Sequence, residues 1–272
     1  MAAPKTILVT GASSGNGQAA ARLLSQRGHH VFGTSRSPSD AATMPHVVMV
    51  PLDVRSDESV AACVKTVLGQ AGHLDVLVNN AGYELGGALE ELSLEEAHAQ
   101  FETNFFGVLR MVKAVLPAMR GQKRGQIVNI SSLAGLAPIP FLGMYSASKF
   151  ALEGYSEALR HEVRPFNIRV SLVEAGFLKT PLREKRQMAA QRMSEYDPWR
   201  QRALGAVREY EEKGPGPELV AKSVVRIIES DKSRLRYAIG RQAQFISRLR
   251  RFLPEVSFQQ GSRRTFHLDV KE

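Results

Sequence analysis

Apolar residues along the chain gather in short, nearly unbroken runs separated by longer stretches with helical spacing. The runs Lys5–Thr10, His30–Thr34, Val47–Leu52, Leu74–Asn79, Gln126–Ser131, Ile168–Val173 and Arg236–Ile239 read as strands. Continuous apolar character, rather than alternation, is expected of strands covered on both faces of a parallel sheet. Between them, Asn16–Arg27, Ser56–Gln70, Ser93–Arg120, Met144–Arg164 and Pro217–Ser230 read as helices. Ser56 and Ser59 sit where an N-cap belongs, and Ser93-Leu94-Glu95-Glu96 fits a capping box. The alternation predicts an α/β fold with one doubly wound, mostly seven-stranded parallel sheet and right-handed crossovers, in a single domain spanning 1–272.

One stretch breaks the rhythm. Leu178 to Gly216 shows no strand pattern; it reads as helical from Arg183 to Met193 and from Arg200 to Glu212, and closes in Lys213-Gly214-Pro215-Gly216-Pro217. Leu182, Met188, Met193, Tyr196, Trp199, Leu204 and Val207 supply its apolar positions. A solvated helix pair would fit this pattern. So would a helical lid over residues 178–216, which is the expectation carried forward, because ligands of open α/β sheets bind at the C-terminal strand edge that this stretch follows. Trp199 would then cover a bulky ligand.

Composition narrows the class. The 272 residues are 43% hydrophobic and 23% charged, which suits a folded globular chain. No run approaches the roughly 18 apolar residues of a transmembrane helix, and the apolar stretch near the N-terminus is too short for a signal-peptide core. Cys63 is the only cysteine, so neither an internal disulfide nor a cysteine metal site is available; no metal is expected, and a reducing, cytoplasmic setting fits best. The net charge of +9 raises nucleic acid as a partner, but the basic residues are dispersed and no nucleic-acid-binding motif accompanies them, so none is expected. From Arg241 to Glu272 seven Lys/Arg face three Asp/Glu. In Arg241–Arg264, Phe245, Ile246, Leu249, Phe252 and Leu253 fall close to one helical face; packing against the sheet is expected for them rather than membrane contact.

The candidate chemistry begins where the first strand ends. Thr10-Gly11-Ala12-Ser13-Ser14-Gly15-Asn16-Gly17 leads into a helix, and such a loop lets backbone approach a phosphate while the helix N-terminus supplies free N–H groups and partial positive charge. About 20 residues on, where a dinucleotide site meets the adenosine ribose, stand Ser35 and Arg36 in place of an acidic residue. A forked cation there suits a ribose 2′-phosphate, with the serine as an added donor, so NADP(H) is the expected cofactor. Asp53-Val54 follows the third strand, where Asp53 could accept an adenine amino proton or lead a helix as its cap. Asn79-Asn80-Ala81-Gly82 ends the fourth strand beside the glycine loop.

Ser132 and Tyr145-Ser146-Ala147-Ser148-Lys149 form the reactive group. Tyr145 and Lys149 lie i,i+4 on one helix face, and a neighbouring ammonium favours the phenolate. Bringing a phenol from about 10 to about 7 requires about 4 kcal/mol, so a second positive charge would be needed. Leu136 to Met144, with Pro138, Ile139, Pro140, Phe141 and Leu142, could line an apolar pocket between Ser132 and Tyr145 or pack in the core.

In this order, Thr10-Gly11-x-x-x-Gly15-x-Gly17, Asp53, Asn79-Asn80-Ala81-Gly82, Asn104, Ser132 and Tyr145-x-x-x-Lys149 resemble the short-chain dehydrogenase/reductase family in its classical form, over about Lys5 to Ile239. The resemblance implies an NADP-binding Rossmann domain whose Tyr145 is the general acid/base. Ser132 would polarise the substrate carbonyl, and Lys149 would hold the nicotinamide ribose and lower the Tyr145 pKa. Asn104 would hold a water linking Lys149 to solvent. Gly11, Ser13, Ser14, Gly15, Asn16, Gly17, Asn80, Ala81, Gly82, Gly176 and Thr180 would contact the cofactor, Thr180 at its carboxamide. Two departures stand out: Asn16 occupies a position usually held by Ile, and Glu174-Ala175-Gly176 replaces a Pro-Gly turn. Tyr145 to Gly154 and Val173 to Thr180 look most like the 17β-hydroxysteroid and retinol dehydrogenase-like branch. That implies a bulky, apolar ketone, aldehyde or secondary alcohol as small-molecule substrate. Homodimers or homotetramers through the helices Ser93–Arg120 and Met144–Arg164 are implied too. The competing expectation is a catalytically silent NADP-binding regulatory or scaffold protein.

Overall fold

The apolar runs do form strands. The computed structural model describes residues 3–38, 44–180, 186–232 and 234–269. In chain order its strands are β1 (Thr6–Val9), β2 (His30–Ser35), β3 (Val47–Pro51), β4 (Val76–Asn79), β5 (Leu85–Gly86), β6 (Gly125–Ser132), β7 (Ile168–Ala175), β8 (Gln187–Met188) and β9 (Arg236–Ile239). Its helices are α1 (Gly15–Gln26), α2 (Asp57–Ala71), α3 (Leu94–Phe101), α4 (Gly107–Gly121), α5 (Gly143–Glu162), α6 (Asp197–Glu212), α7 (Glu218–Glu229), α8 (Arg241–Phe252) and α9 (Glu255–Thr265). Seven strands pair in parallel in the order β3-β2-β1-β4-β6-β7-β9, the doubly wound arrangement expected.

The two faces of the sheet are buried by different helices. Leu8, Leu77, Ile127 and Leu172 point to one face and pack with Val64 and Val67 of α2, Met111 and Val115 of α4 and Leu152 of α5. Ile7, Val9, Val78 and Val173 point to the other, against Ala21 and Leu24 of α1 and Val224 and Ile228 of α7. Alternate strand residues serving opposite faces is the period-two geometry of a strand, and two apolar covers explain the lack of polar alternation. A third cluster, with Leu133, Ile139, Leu142, Tyr145, Phe177, Ala203, Val207 and Phe266, closes the C-terminal edge of the sheet.

Three expectations change. The helix over Ser93–Arg120 is divided: α3 and α4 are joined by a π-helical turn, Glu102–Phe106, that carries Asn104. One extra residue per turn there re-aims a side chain without ending the helix. The stretch from Arg183 to Met193 is not helical over its described part. Gln187 and Met188 form β8, which pairs in parallel with β5, with Gln187 N–H donating to Glu84 O at 2.9 Å and Ala189 N–H to Gly86 O at 2.8 Å. Unpaired backbone after β4 offered ladder partners that local sequence could not reveal. Leu182 and Arg183 lie outside the described residues. The tail, finally, bends at Pro254 between α8 and α9. Ala243 is buried and Ile246 packs on the third cluster, but Phe245 and Phe252, seven residues apart on one helix face, are 61% and 79% exposed. No described helix is long and apolar enough to cross a membrane.

Candidate active site

Strand register fixes what meets at the sheet edge. β1 has β2 on one side and β4 on the other, so the loop after Val9 opens at the point where strand order reverses. Gly11 (φ +66°) and Gly15 (φ +58°) adopt left-handed conformations there, which glycine takes without a Cβ clash. The loop is strutted from β4. The Thr10 hydroxyl accepts from the N–H groups of Asn80 (2.9 Å) and Ala81 (3.0 Å), while the Asn80 amide donates to the carbonyls of Thr10 (3.0 Å) and Gly11 (3.1 Å). A Cβ on Gly17 would stand 2.3 Å from Gly11 O and 2.4 Å from Asn80 Nδ2. Gly17 therefore serves helix-to-loop contact, and the Asn80 side chain is a brace for the loop.

No side chain caps α1 at Ser14, and Asn16 Oδ1 is buried without a hydrogen-bond partner among the described residues. Such a cradle, with uncapped helix N–H groups, fits the phosphates of a dinucleotide. At the end of β2 the Ser35 hydroxyl donates to Ser37 O at 3.3 Å, and Arg36 is exposed with no ion-pair partner among the described residues. Asp53 is held by Arg55 at 2.7 Å, which draws its carboxyl down to about 2. Asp53 does not cap the next helix; Ser56 does, accepting from Ser59 N–H at 3.1 Å.

At the other end, Ser132 closes β6 and Tyr145 and Lys149 stand in the first turns of α5. The Ser132 hydroxyl accepts from Ala134 N–H at 3.1 Å. Lys149 Nζ lies 5.7 Å from the centre of the Tyr145 ring and donates to Ile130 O at 2.9 Å. Asn104 Nδ2 donates to Tyr83 O (3.0 Å) and Ser148 Oγ (3.3 Å), and Asn104 Oδ1 accepts from Tyr83 N–H (3.1 Å). Burial raises the Tyr145 phenol above its ordinary value, the nearby Glu84 carboxylate adds to the rise, and the Ser132 hydroxyl and Arg186 oppose it. Burial lowers Lys149 to about 8, against the pull of Glu84 and Glu153. In a site this buried, desolvation of the phenolate outweighs the charges beside it, so the net shift of Tyr145 in the protein alone is upward.

One cavity of about 610 Å³ joins the two ends. Gly11, Ser13, Ser14, Gly15, Asn16, Ser35, Arg36, Asp53, Val54, Asn80, Ala81, Gly82, Asn104, Ser132, Tyr145, Lys149, Gly176 and Thr180 all line it; Gly17 does not. Of Leu136–Met144, Ile139 and Leu142 reach the cavity, whereas Phe141 packs in the third cluster. From the stretch expected as a lid, Leu178, Thr180, Gln187, Val207 and Glu211 line it. Trp199 does not: its ring carries the Arg202 guanidinium at 4.8 Å, so its expected place over a ligand is corrected. This cover is fastened down. Buried Glu91 accepts from Met193 N–H at 2.8 Å and pairs with Arg200, and Tyr196 donates to Glu90 at 2.5 Å. Glu84, Arg55, Gln187 and Glu211 were not singled out in the sequence. Glu84, two residues past Gly82, and Arg55, next to Val54, carried a positional signal; Glu211 lies more than a hundred residues away and arrives through the fold.

A model described as short chain dehydrogenase matches residues 5–191. The chain belongs to this family. It is thereby an oxidoreductase that interconverts carbonyl and hydroxyl groups. Among relatives of this short-chain dehydrogenase, 3-ketodihydrosphingosine reductase of Bacteroides thetaiotaomicron is 41% identical over 263 residues, covering 96% of this chain and 97% of that protein. Retinol dehydrogenase 8 of Bos taurus is 40% identical over 254 residues, covering 86% and 81%. A crystal structure of a short-chain dehydrogenase from Streptomyces avermitilis superposes with a TM-score of 0.81 at 34% identity, covering 99% of both chains.

Proposed function

We propose that the protein is an NADP(H)-dependent reductase of bulky, apolar ketones or aldehydes, with Tyr145 as general acid/base. The observation that carries the reading is the single cavity with Arg36 at one end and Ser132, Tyr145 and Lys149 at the other. When bound, the nicotinamide supplies or accepts a hydride at the carbonyl carbon. The chain's own residues do the rest. The uncapped first turn of α1 and the glycine loop receive the pyrophosphate, and Arg36 with Ser35 receives a 2′-phosphate. Ser132 donates to the substrate oxygen and Tyr145 delivers the proton to it, so the alkoxide never forms unprotonated. Burial raises the phenol, so Tyr145 carries its proton at neutral pH in the protein alone. Lys149 orients the ribose from a position fixed by Ile130 O, and Asn104 braces the first turns of α5 through Ser148. Leu133, Ile139, Leu142, Phe177 and Val207 give the substrate end its apolar walls. Partly exposed Phe106, Phe150 and Phe166, on or beside α4 and α5, suit association of copies of the chain.

The test is NADPH oxidation with a series of carbonyls of increasing apolar size, in wild type and Tyr145→Phe. Turnover that rises with apolar size and falls by about 10²–10⁴-fold in the variant, at unchanged NADPH affinity, is expected. Retention of more than about a tenth of kcat refutes the role of Tyr145.

A further inference from the structure

The C-terminal tail presents a patterned face that neither the fold nor the carbonyl reaction uses. Of the five apolar positions expected to pack there, Ile246 and Leu249 are half-buried, while Phe245, Phe252 and Leu253 are exposed. Along α8, Arg241, Phe245, Arg248 and Phe252 follow one another at spacings of four, three and four. At 3.6 residues per turn they share a stripe roughly 60° wide. All four side chains are exposed, and Arg241 and Arg248 have no ion-pair partner among the described residues. Exposed Leu253 and Val256 flank the bend at Pro254 where the stripe ends.

The opposite side of the same helix is anchored. Ala243 is fully buried, and a Cβ on Gly176, which lines the cavity, would lie 3.5 Å from Ala243 N. Ile246 packs on the third cluster, whose Leu133, Tyr145, Phe177 and Val207 also line the substrate end. α8 thus stands between that end and the stripe. Interleaved arginines decide what can cover the phenylalanines. A second copy of the chain about a twofold axis would set the stripe against itself, cation facing cation. A nucleic acid would answer the arginines through its phosphates and leave the phenylalanines in water.

We infer that the outer stripe of α8 docks the chain on an anionic lipid surface. Such a surface answers both residue types at once. The Phe245 and Phe252 rings enter the boundary between headgroups and acyl chains, and the arginine stems lie along them while their guanidinium groups stay among the lipid phosphates. The net charge of +9, and the seven Lys/Arg against three Asp/Glu from Arg241 onward, draw the tail toward negative headgroups. Docked this way, the substrate end lies about one helix diameter, roughly 10 Å, from the lipid. The docking itself does not depend on which carbonyl the cavity reduces.

The purified full chain is floated with vesicles of phosphatidylcholine alone and of phosphatidylcholine containing about one third phosphatidylglycerol. Wild type should float with the anionic vesicles, much less with the neutral ones, and less at high salt. Arg241→Gln with Arg248→Gln should lower the affinity for anionic vesicles about 30-fold, at about fivefold per arginine. Phe245→Ser with Phe252→Ser should lower it at least about tenfold through lost apolar burial. Arg22→Gln with Arg208→Gln removes the same charge from exposed positions on α1 and α6 and should stay within about threefold of wild type. No flotation of wild type with anionic vesicles overturns the inference. So does an equal loss in the Arg22 and Arg208 pair, which would make the attraction one of overall charge, or an unchanged affinity in the phenylalanine pair. Tighter binding of short duplex DNA than of anionic vesicles, weakened by the same arginine pair, would make the stripe a nucleic-acid face. A smaller assembly in size-exclusion chromatography for the phenylalanine pair than for wild type would make it a subunit interface; either result overturns the lipid reading. Should circular dichroism show that the phenylalanine pair does not fold, Phe252→Ser alone, at a position 79% exposed, takes its place.

Discussion

Glu174 gives the sharpest test of how charge is buried in this sheet. It lies on β7, almost fully buried, beside Glu153 of α5, and Arg236 of β9 approaches it at 3.3 Å. Burial raises its carboxyl from 4.5 to about 7; Glu153 adds to the rise, and Arg236, shared with Glu153 and Glu157, opposes it incompletely. At about 1.36 kcal/mol per pH unit, this rise makes ionised Glu174 unfavourable to the fold by about 3 kcal/mol. The folded carboxyl keeps its proton up to about pH 7, whereas the unfolded one releases it near 4.5. Between those values the folded state holds more protons, so raising the pH removes stability. Glu174→Gln, which keeps the shape and cannot ionise, should therefore match wild type at pH 4.5 and exceed it at pH 8.5 by up to about 3 kcal/mol. Urea denaturation followed by circular dichroism at both values measures the difference. A variant equally stable or less stable than wild type at pH 8.5 would refute the reasoning, because it would mean that Arg236 fully compensates the charge.

Three further outcomes follow from the geometry. Arg36→Leu should weaken NADPH binding by roughly 10- to 150-fold and leave NADH nearly unchanged, as measured by fluorescence titration; equal losses would show that Arg36 does not meet the 2′-phosphate. Gly17→Ala places a Cβ 2.3 Å from Gly11 O, so it should displace the glycine loop and weaken both cofactors at least tenfold in the same titration, unlike an Ala at Gly69 of α2, where nothing lies within 4 Å. Glu91→Ala leaves Arg200 with Asp197 as its remaining acidic partner among the described residues and removes the acceptor for the N–H groups of Met193 and Ala88, so the midpoint of thermal unfolding should fall with a loss of about 1–3 kcal/mol; a loss under about 0.5 kcal/mol would show that the contact is not what fastens the cover.

The order of elements and the parallel sheet were determined by the sequence itself. A strand covered on both faces must be apolar throughout, and Leu8 and Val9 show why: adjacent residues serve opposite cores, so neither can be polar. The glycine loop was legible for a related reason, since φ values of +66° and +58° demand glycine at Gly11 and Gly15. Tyr145 and Lys149 were legible because helix periodicity alone puts residues four apart on one face. What the tertiary structure decided lies where groups distant in sequence compete for one place. The π-turn at Asn104 depends on Tyr83 and Ser148, which local spacing does not contain. Gln187 and Met188 became a strand because Glu84 to Gly86 offered backbone partners a hundred residues earlier. The Tyr145 phenol is raised because burial, a property of the whole fold, outweighs its charged neighbours. Glu84, Arg186 and Glu211 are three unremarked charges in the sequence, and only packing of α6 over the sheet edge brings them into one ion-pair cluster.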